Sequence, residues 1–222
     1  MSRPRKPQSP AFQPWATSQP FGQASGGTLQ SENARGNVTD PNMVALFARF
    51  FGKGSGGEIS INSSEHSGLL PPPVDYSLRD TDQKGLYLHE ENLVVAPLQG
   101  TNSAHEETIS VLPNQDLERK RIPLILGVRG GSQGLSCGKA AEPKLQLEDS
   151  SLSSLFGSGE EARRFTFYKS YNGITHTFES AAYPAWLLCS SVEAHQPLAL
   201  TKAPGEGASI TAFHFEPKEP PA

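Results

Sequence analysis

Short apolar segments alternate with polar turns along residues 74–222, and several of these segments show a period of two. In Phe165-Thr166-Phe167, for example, two apolar residues flank a polar one. Such alternation is typical of antiparallel strands with one face in a core and the other in water. It predicts about a dozen strands, at Tyr76–Leu78, Leu86–His89, Leu93–Pro97, Thr108–Leu112, Leu124–Val128, Gly134–Cys137, Lys144–Leu147, Phe165–Lys169, His176–Glu179, Ala185–Ser190, Leu198–Thr201 and Ile210–Phe215.

Turn signals separate these strands. The dipeptide Asn172-Gly173 predicts a tight hairpin, because both residues tolerate the positive φ that such turns need. The segment Asp149–Phe156 predicts one helical turn with Leu152 and Leu155 facing inward. Many short strands with regular turns indicate a sandwich or a barrel, and periodicity does not choose between them.

The first part of the chain has a different composition. Residues 1–73 are rich in Gly, Ser, Gln, Asn and Pro, which predicts a disordered leader that is removed from a domain at 74–222. The stiff Pro71-Pro72-Pro73 marks the boundary. One apolar stretch, Met43–Phe51, interrupts the leader, and Val44, Phe47 and Phe51 would share a helix face. We interpret this stretch as a transient helix in a tail, with a docking or membrane-touching segment as the alternative.

Charge and hydropathy exclude several classes of protein. A net charge of −4 argues against nucleic-acid binding, and no apolar run approaches the length of a membrane span. The basic start lacks the apolar core of a secretory signal peptide, so an extracellular role would require leaderless secretion from a cytoplasmic pool. Cys137 and Cys189 lie in apolar strands and are predicted to be buried free thiols, with a disulfide as the alternative.

Catalytic and metal-binding patterns are weak. Gly134-Leu135-Ser136-Cys137-Gly138 matches G-x-S-x-G, and Asp149 and His176 follow in hydrolase order. The helix that such a nucleophile needs does not follow, so no enzyme activity is predicted. The six histidines lack metal-ligand spacing, and no metal ion or cofactor is expected. The adjacent carboxylates are interpreted as solvated turns, at Glu90-Glu91, Glu106-Glu107 and Glu160-Glu161.

The stretch 178–190 resembles the signature of the interleukin-1 family. Ser190 stands where the family usually has Thr, and Ala185 where it often has Gly. Motifs such as Leu126–Ser132 extend the likeness over nearly all of 74–222. The resemblance implies an all-β fold, a β-trefoil of twelve strands in six hairpins, and a non-catalytic cytokine. The signature is carried by Phe178, Ser180, Pro184, Trp186 and Cys189.

The resemblance also implies a receptor-binding surface for the immunoglobulin-like ectodomain of an interleukin-1 or interleukin-36 type receptor. Gln83 and Gln99 match the family's contact positions, whereas Arg79, Pro97 and His214 depart from the interleukin-1 pattern and favour the interleukin-36 type. Ala212 stands at a position that, in the family, helps decide whether the accessory receptor chain is recruited. Alanine carries no charge there.

We therefore expect a monomeric, extracellular cytokine that acts as an antagonist, because the motifs are most similar to antagonist-like members. The alternative is an agonist that recruits the accessory chain and activates NF-kappa-B. Leu78 and Asp80 resemble the family mark that follows the mature start, which places trimming near Leu69–Pro73. A further hypothesis is that residues 1–70 weaken receptor binding until they are cut.

Overall fold

The computed structural model describes residues 38–52, 70–205 and 208–218, which lie in one compact unit, Gly36–Ala222. Three α-helices and fourteen strands are found in these residues. The helices are α1 Pro41–Phe51, α2 Leu152–Leu155 and α3 Glu160–Arg163. The strands are β1 Val74–Asp80, β2 Lys84–His89, β3 Asn92–Pro97, β4 Ile109–Pro113, β5 Pro123–Val128, β6 Gln133–Ser136, β7 Gln146–Glu148, β8 Thr166–Tyr171, β9 His176–Ser180, β10 Leu187–Ser191, β11 Gln196–Pro197, β12 Ala199–Thr201, β13 Ser209–Ile210 and β14 Phe213–Pro217.

Six of the strands close into a barrel. Antiparallel pairing runs from β1 to β4, β5, β8, β9 and β14, and β14 returns to β1. Three hairpins, β2–β3, β6–β7 and β10–β12, are inserted between successive pairs of barrel strands. This threefold repeat of barrel strand, hairpin and barrel strand is a β-trefoil. The pairing selects the barrel over the sandwich and confirms the fold expected from the family resemblance.

Local expectations are confirmed in most elements. The β8–β9 hairpin turns at Asn172 and Gly173, where Gly173 has φ +97° and the Asn172 side chain accepts two backbone N–H groups. Leu152 and Leu155 of α2 are buried as predicted. The expected turn at Glu160-Glu161 instead begins α3. The expected strand Ile210–Phe215 is divided into β13 and β14, and the short β11 was not predicted.

Aromatic side chains fill the barrel. Phe178 lies edge-on to Phe215 at 5.1 Å between ring centroids, and Tyr76 stacks on Phe215 at 4.3 Å. All three residues are at most 2% exposed. Since each comes from a different barrel strand, these contacts join β1, β9 and β14 across the interior.

Helix α1 departs from the expectation of a transient helix in a disordered leader. Asp40 caps its N-terminus by accepting a hydrogen bond from the Asn42 N–H. Pro41 lies in the first turn, where its missing N–H costs no hydrogen bond within the helix. Met43, Leu46 and Phe47 are buried in the barrel core, whereas Val44, predicted to share a helix face with Phe47, is 58% exposed. Tertiary packing therefore stabilises a segment that composition assigned to a disordered region. The boundary at Pro71–Pro73 and the removal of residues 1–73 stay predictions.

No helix in the described ranges is both long enough and apolar enough to cross a membrane.

Candidate functional site

The predicted receptor-binding residues come together at the end of the barrel that carries the hairpins. Arg79 on β1 pairs with His214 on β14, and Asp80 pairs with Phe213, so Ala212 lies beside the end of β1. Across the β2–β3 hairpin, Lys84 pairs with Pro97, which brings Pro97 next to the β1–β2 turn. The family resemblance supplied the residues, and the register shows that they share one region.

Within this region the side chains differ in exposure. Gln83, Pro97 and Gln99 are exposed, whereas Arg79 and His214 are half-buried. Gln83 adopts φ +63° at the β1–β2 turn and donates its N–H to the Asp80 carbonyl at 2.9 Å. The turn therefore presents the Gln83 side chain to solvent.

Glu106 is a member of this region that the sequence did not reveal. It was expected in a solvated turn, but its side chain is only 10% exposed. Its carboxylate pairs with Arg79 at 2.8 Å and with Lys218 at 3.5 Å. Glu106 thereby orients the Arg79 guanidinium on the surface, a contact between strands that no local pattern specifies.

Leu78 and Asp80, the predicted processing mark, both lie inside β1 and are at most 2% exposed. The Asp80 carboxylate accepts the backbone N–H groups of Asp82 and Lys84 and the hydroxyl of Ser190, and it pairs with the Lys84 ammonium at 3.0 Å. Asp80 thus has a structural role of its own, because it fixes the turn that carries Gln83.

The signature residues build the β9–β10 connection. Phe178 and Ser180 are buried, and Cys189 is 6% exposed. The Ser180 hydroxyl accepts the Tyr183 N–H, and the Ser180 N–H donates to the Trp186 carbonyl at 2.8 Å. Trp186 is half-buried beneath the Lys202 ammonium, and Pro184 is exposed in the turn. The signature therefore specifies a folded hairpin and its core contacts.

Ala185 in this turn has φ +68°, which accounts for the family's frequent glycine there. A left-handed conformation costs an L-residue about 1–2 kcal/mol, which glycine avoids. Part of this stabilisation is lost, because glycine also increases the conformational entropy of the unfolded chain. We expect Ala185→Gly to raise the free energy of unfolding by about 0.5–1 kcal/mol in a urea titration. Ala182→Gly, in the same turn but outside the left-handed region, is the control and should lower it. Equal effects of the two changes would contradict the strain argument.

Ser136, the candidate nucleophile, is fully buried. Its hydroxyl accepts the Gly138 N–H at 2.9 Å and a bond from the Arg164 guanidinium at 2.8 Å. Arg164 also pairs with Glu148, whose pKa it lowers to about 2. Ser136 thus belongs to a structural network on β6. Cys137, next to Ser136 in the chain, and Cys189 on β10 are free and buried, as predicted, and burial raises the pKa of the Cys137 thiol to about 11.

A buried charged cluster at the other end of the barrel was not foreseen. The Lys169 ammonium, on β8, forms an ion pair with the Asp40 carboxylate, and both side chains are at most 3% exposed. His176 Nδ1, buried and without a hydrogen-bond partner, lies 3.7 Å from the same carboxylate. Burial disfavours the Asp40 charge, but the hydrogen bond and charge of Lys169 more than offset this and hold its pKa below the usual value.

The imidazole of this cluster makes stability depend on pH. Burial and then the Lys169 charge lower the pKa of His176 to about 4, although Asp40 opposes the shift, and His214 adds a further positive charge. The unfolded chain, with a pKa near 6.5, binds the proton first, so stability falls as pH drops from about 6.5 to 4. Allowing for solvent screening, we expect a loss of about 2 kcal/mol across that window.

Urea titrations at several pH values test this dependence. His176→Gln should remove most of it, whereas the exposed His89→Gln should leave it unchanged. An unaltered pH profile in His176→Gln would show that another group is responsible.

The fold defines the class as a β-trefoil protein, and comparison with known proteins shows the family. Residues 98–215 match the family model described as Interleukin-1 / 18. The human interleukin-36 receptor antagonist protein is 44% identical over 151 residues, covering 67% of this chain and 97% of that protein. Human interleukin-1 family member 10 is 42% identical over 148 residues, covering 66% and 96%.

Among solved structures, the NMR structure of the pro-inflammatory cytokine interleukin-36alpha matches with a TM-score of 0.54 and 30% identity, over 69% of this chain and 99% of that one. The chain belongs to the interleukin-1 family. Its members are extracellular, non-enzymatic signalling proteins that bind interleukin receptors.

Proposed function

We propose that this cytokine is a receptor antagonist, secreted without a signal peptide and active as a monomer on an interleukin-36 type receptor. The observation that carries the proposal is the 44% identity to a protein named as an interleukin-36 receptor antagonist. It is supported by the gathering of Arg79, Gln83, Pro97, Gln99 and His214 at one end of the barrel. In this proposal the surface they form occupies the primary receptor.

Ala212 supports antagonism through its position. It lies beside the end of β1, at the edge of the proposed receptor surface, and is half-buried. A methyl group at this position offers no charge or hydrogen bond to an accessory chain. The cytokine would therefore hold the primary receptor without completing the signalling pair.

Agonism is the second candidate. The similarity to interleukin-36alpha, which is named as pro-inflammatory, favours it. An agonist would recruit the accessory chain and activate NF-kappa-B. The two candidates share the primary receptor surface and differ in the consequence of binding.

A reporter assay separates them. Residues 69–222 and the full chain are applied to cells that carry the interleukin-36 receptor, alone and against a known agonist. Antagonism predicts silence alone and a rightward shift of the agonist curve, whereas activation alone would establish agonism. A larger shift with residues 69–222 than with the full chain would support the inhibitory role of the leader, and equal shifts would exclude it.

The receptor surface itself is tested by Gln83→Arg. An arginine on the exposed turn should weaken binding to the receptor ectodomain at least about tenfold, because it adds bulk and charge in the proposed interface. Gln115→Arg is the matched control, since Gln115 is also exposed but follows β4 at the opposite end of the barrel. The affinity of the Gln115→Arg variant for the receptor ectodomain should change by less than about twofold. Equal affinities for both variants in surface plasmon resonance would remove Gln83 from the interface.

A further inference from the structure

The end of the barrel opposite the hairpins is covered by α1. At this open end, β1 begins at Val74, β14 ends at Pro217, and Ile122 precedes β5. These residues line two clefts beside α1, together with residues of the helix. At 1.5 Å per residue, α1 is about 16 Å long, which matches the width of a small barrel. The helix therefore lies across the barrel mouth.

Two kinds of contact hold the helix there. Met43, Leu46 and Phe47 insert into the barrel core, and the Asp40 carboxylate reaches Lys169. The Lys169 side chain is fully buried, so the ion pair lies at the floor of the mouth. The mouth thus recognises an apolar helix face and a carboxylate at the N-cap.

Two surface clefts flank the helix. A cleft of about 230 Å³ remains on its Val44 side and one of about 180 Å³ on its Ala45 side. Each is large enough for several water molecules. Both clefts are open to solvent, and Val44 on the outer face of the helix is 58% exposed, so α1 lies at the protein surface with only one face buried.

Covalent connection adds to these contacts. An isolated helix of this length is marginal in water, so α1 depends on its docking site. The seventeen residues 53–69 connect it to the barrel. A connection of that length gives an effective concentration on the order of 1 mM, which would keep a site with a Kd of about 10 µM about 99% filled.

We propose that the open barrel mouth is a binding site for an amphipathic helix with an N-cap carboxylate, and that residues 40–51 are its tethered, releasable ligand. This inference does not depend on which receptor the cytokine binds. Cutting the chain between Gly52 and Leu70 does not itself open the mouth; it removes the tether, and the helix then leaves on dilution. Cleavage and opening are two separate steps, and opening exposes Lys169 and His176 to solvent.

The two methionines make occupancy measurable in the full chain. Met43 is 3% exposed, and Met1 is the other methionine. With [methyl-¹³C]methionine, the Met43 signal should be shifted from its free position in the uncut protein. A site-specific protease sequence is placed within 53–69, and the protein is cut. Dilution from about 500 µM to about 5 µM should then move the Met43 signal towards the free position, with a Kd of about 10 µM.

Three variants test the recognition chemistry in the cut protein. Leu46→Asp should abolish rebinding, because it puts a charge in the core. Asp40→Asn should weaken binding at least about tenfold, because Lys169 loses its counter-ion. Val44→Asp is the matched control on the exposed face and should alter the Kd by less than about twofold.

Other results overturn the proposal. A free Met43 signal in the uncut chain would show that the helix does not occupy the mouth. A Kd below about 10 nM after cutting would make α1 a permanent part of the core. An unchanged Kd in Asp40→Asn would remove carboxylate recognition. A dilution effect in the uncut protein, accompanied by a dimer in gel filtration, would mean that the helix docks in a second copy.

Discussion

Asp80→Ala should lower the free energy of unfolding by about 3–5 kcal/mol. The Lys84 ammonium is 5% exposed and lies 3.0 Å from the Asp80 carboxylate, so the substitution leaves a buried charge with only two longer contacts, 3.3 Å to the Asp82 carboxylate and 3.5 Å to the Val192 carbonyl. It also removes the acceptor of the Ser190 hydroxyl and of two N–H groups in the β1–β2 turn. Urea titration followed by circular dichroism measures the loss.

Asp82→Ala is the matched control. Asp82 contacts the same ammonium, but its side chain is 56% exposed, so water replaces it at little cost. We expect a change below about 1 kcal/mol. Because Asp80 fixes the turn that carries Gln83, Asp80→Ala should also weaken receptor binding more than Asp82→Ala. Equal stability of the two variants would mean that burial does not decide the strength of this ion pair.

Gly127→Ala should lower the free energy of unfolding by about 3 kcal/mol. Gly127 pairs with Gly134 across β5 and β6. A Cβ at Gly127 would lie 2.2 Å from Leu152 Cδ1 and 2.4 Å from the Gln133 carbonyl oxygen. Leu152 is fully buried and the carbonyl belongs to a paired strand, so neither atom has room to withdraw. Thermal and urea unfolding should both show the loss.

Gly130→Ala, three residues away, separates crowding from backbone strain. Gly130 has φ +64°, but nothing lies within 4 Å of its added Cβ. The expected cost is therefore the left-handed penalty alone, about 1 kcal/mol. If Gly127→Ala were no worse than Gly130→Ala, the strand pair would have to be able to shift away from Leu152.

The sequence predicted the strands from hydrophobic alternation, but it predicted the receptor-binding residues only through resemblance to the family. Period two indicated that Phe165 and Phe167 are buried, because alternation is a local property of each strand, but Phe167 lies in the barrel core whereas Phe165 packs in a second cluster with α2. The family signature supplied the trefoil, which periodicity left open. The residues of the proposed receptor surface came from resemblance alone. Only the pairing of β1 with β14, and of β2 with β3, places them together.

Contacts between residues distant in the sequence could not be predicted from local patterns. Glu106 was expected in water because its neighbours are polar, yet it lies between Arg79 and Lys218, which are distant in sequence. Met43–Phe51 was assigned to a tail because the surrounding composition is poor in apolar residues. Its burial depends on a barrel mouth formed by strands that begin more than twenty residues later.

The environment of Lys169 depends on both the sequence and the tertiary structure. The apolar pattern predicted a strand at Phe165–Lys169 but did not say that the Lys169 ammonium is buried, and a buried ammonium requires a carboxylate partner. The sequence by itself therefore determined an all-β domain with a strand at this position. Only the tertiary structure decided that the partner is Asp40, 129 residues earlier, because the closed barrel and the helix across its mouth bring the two together.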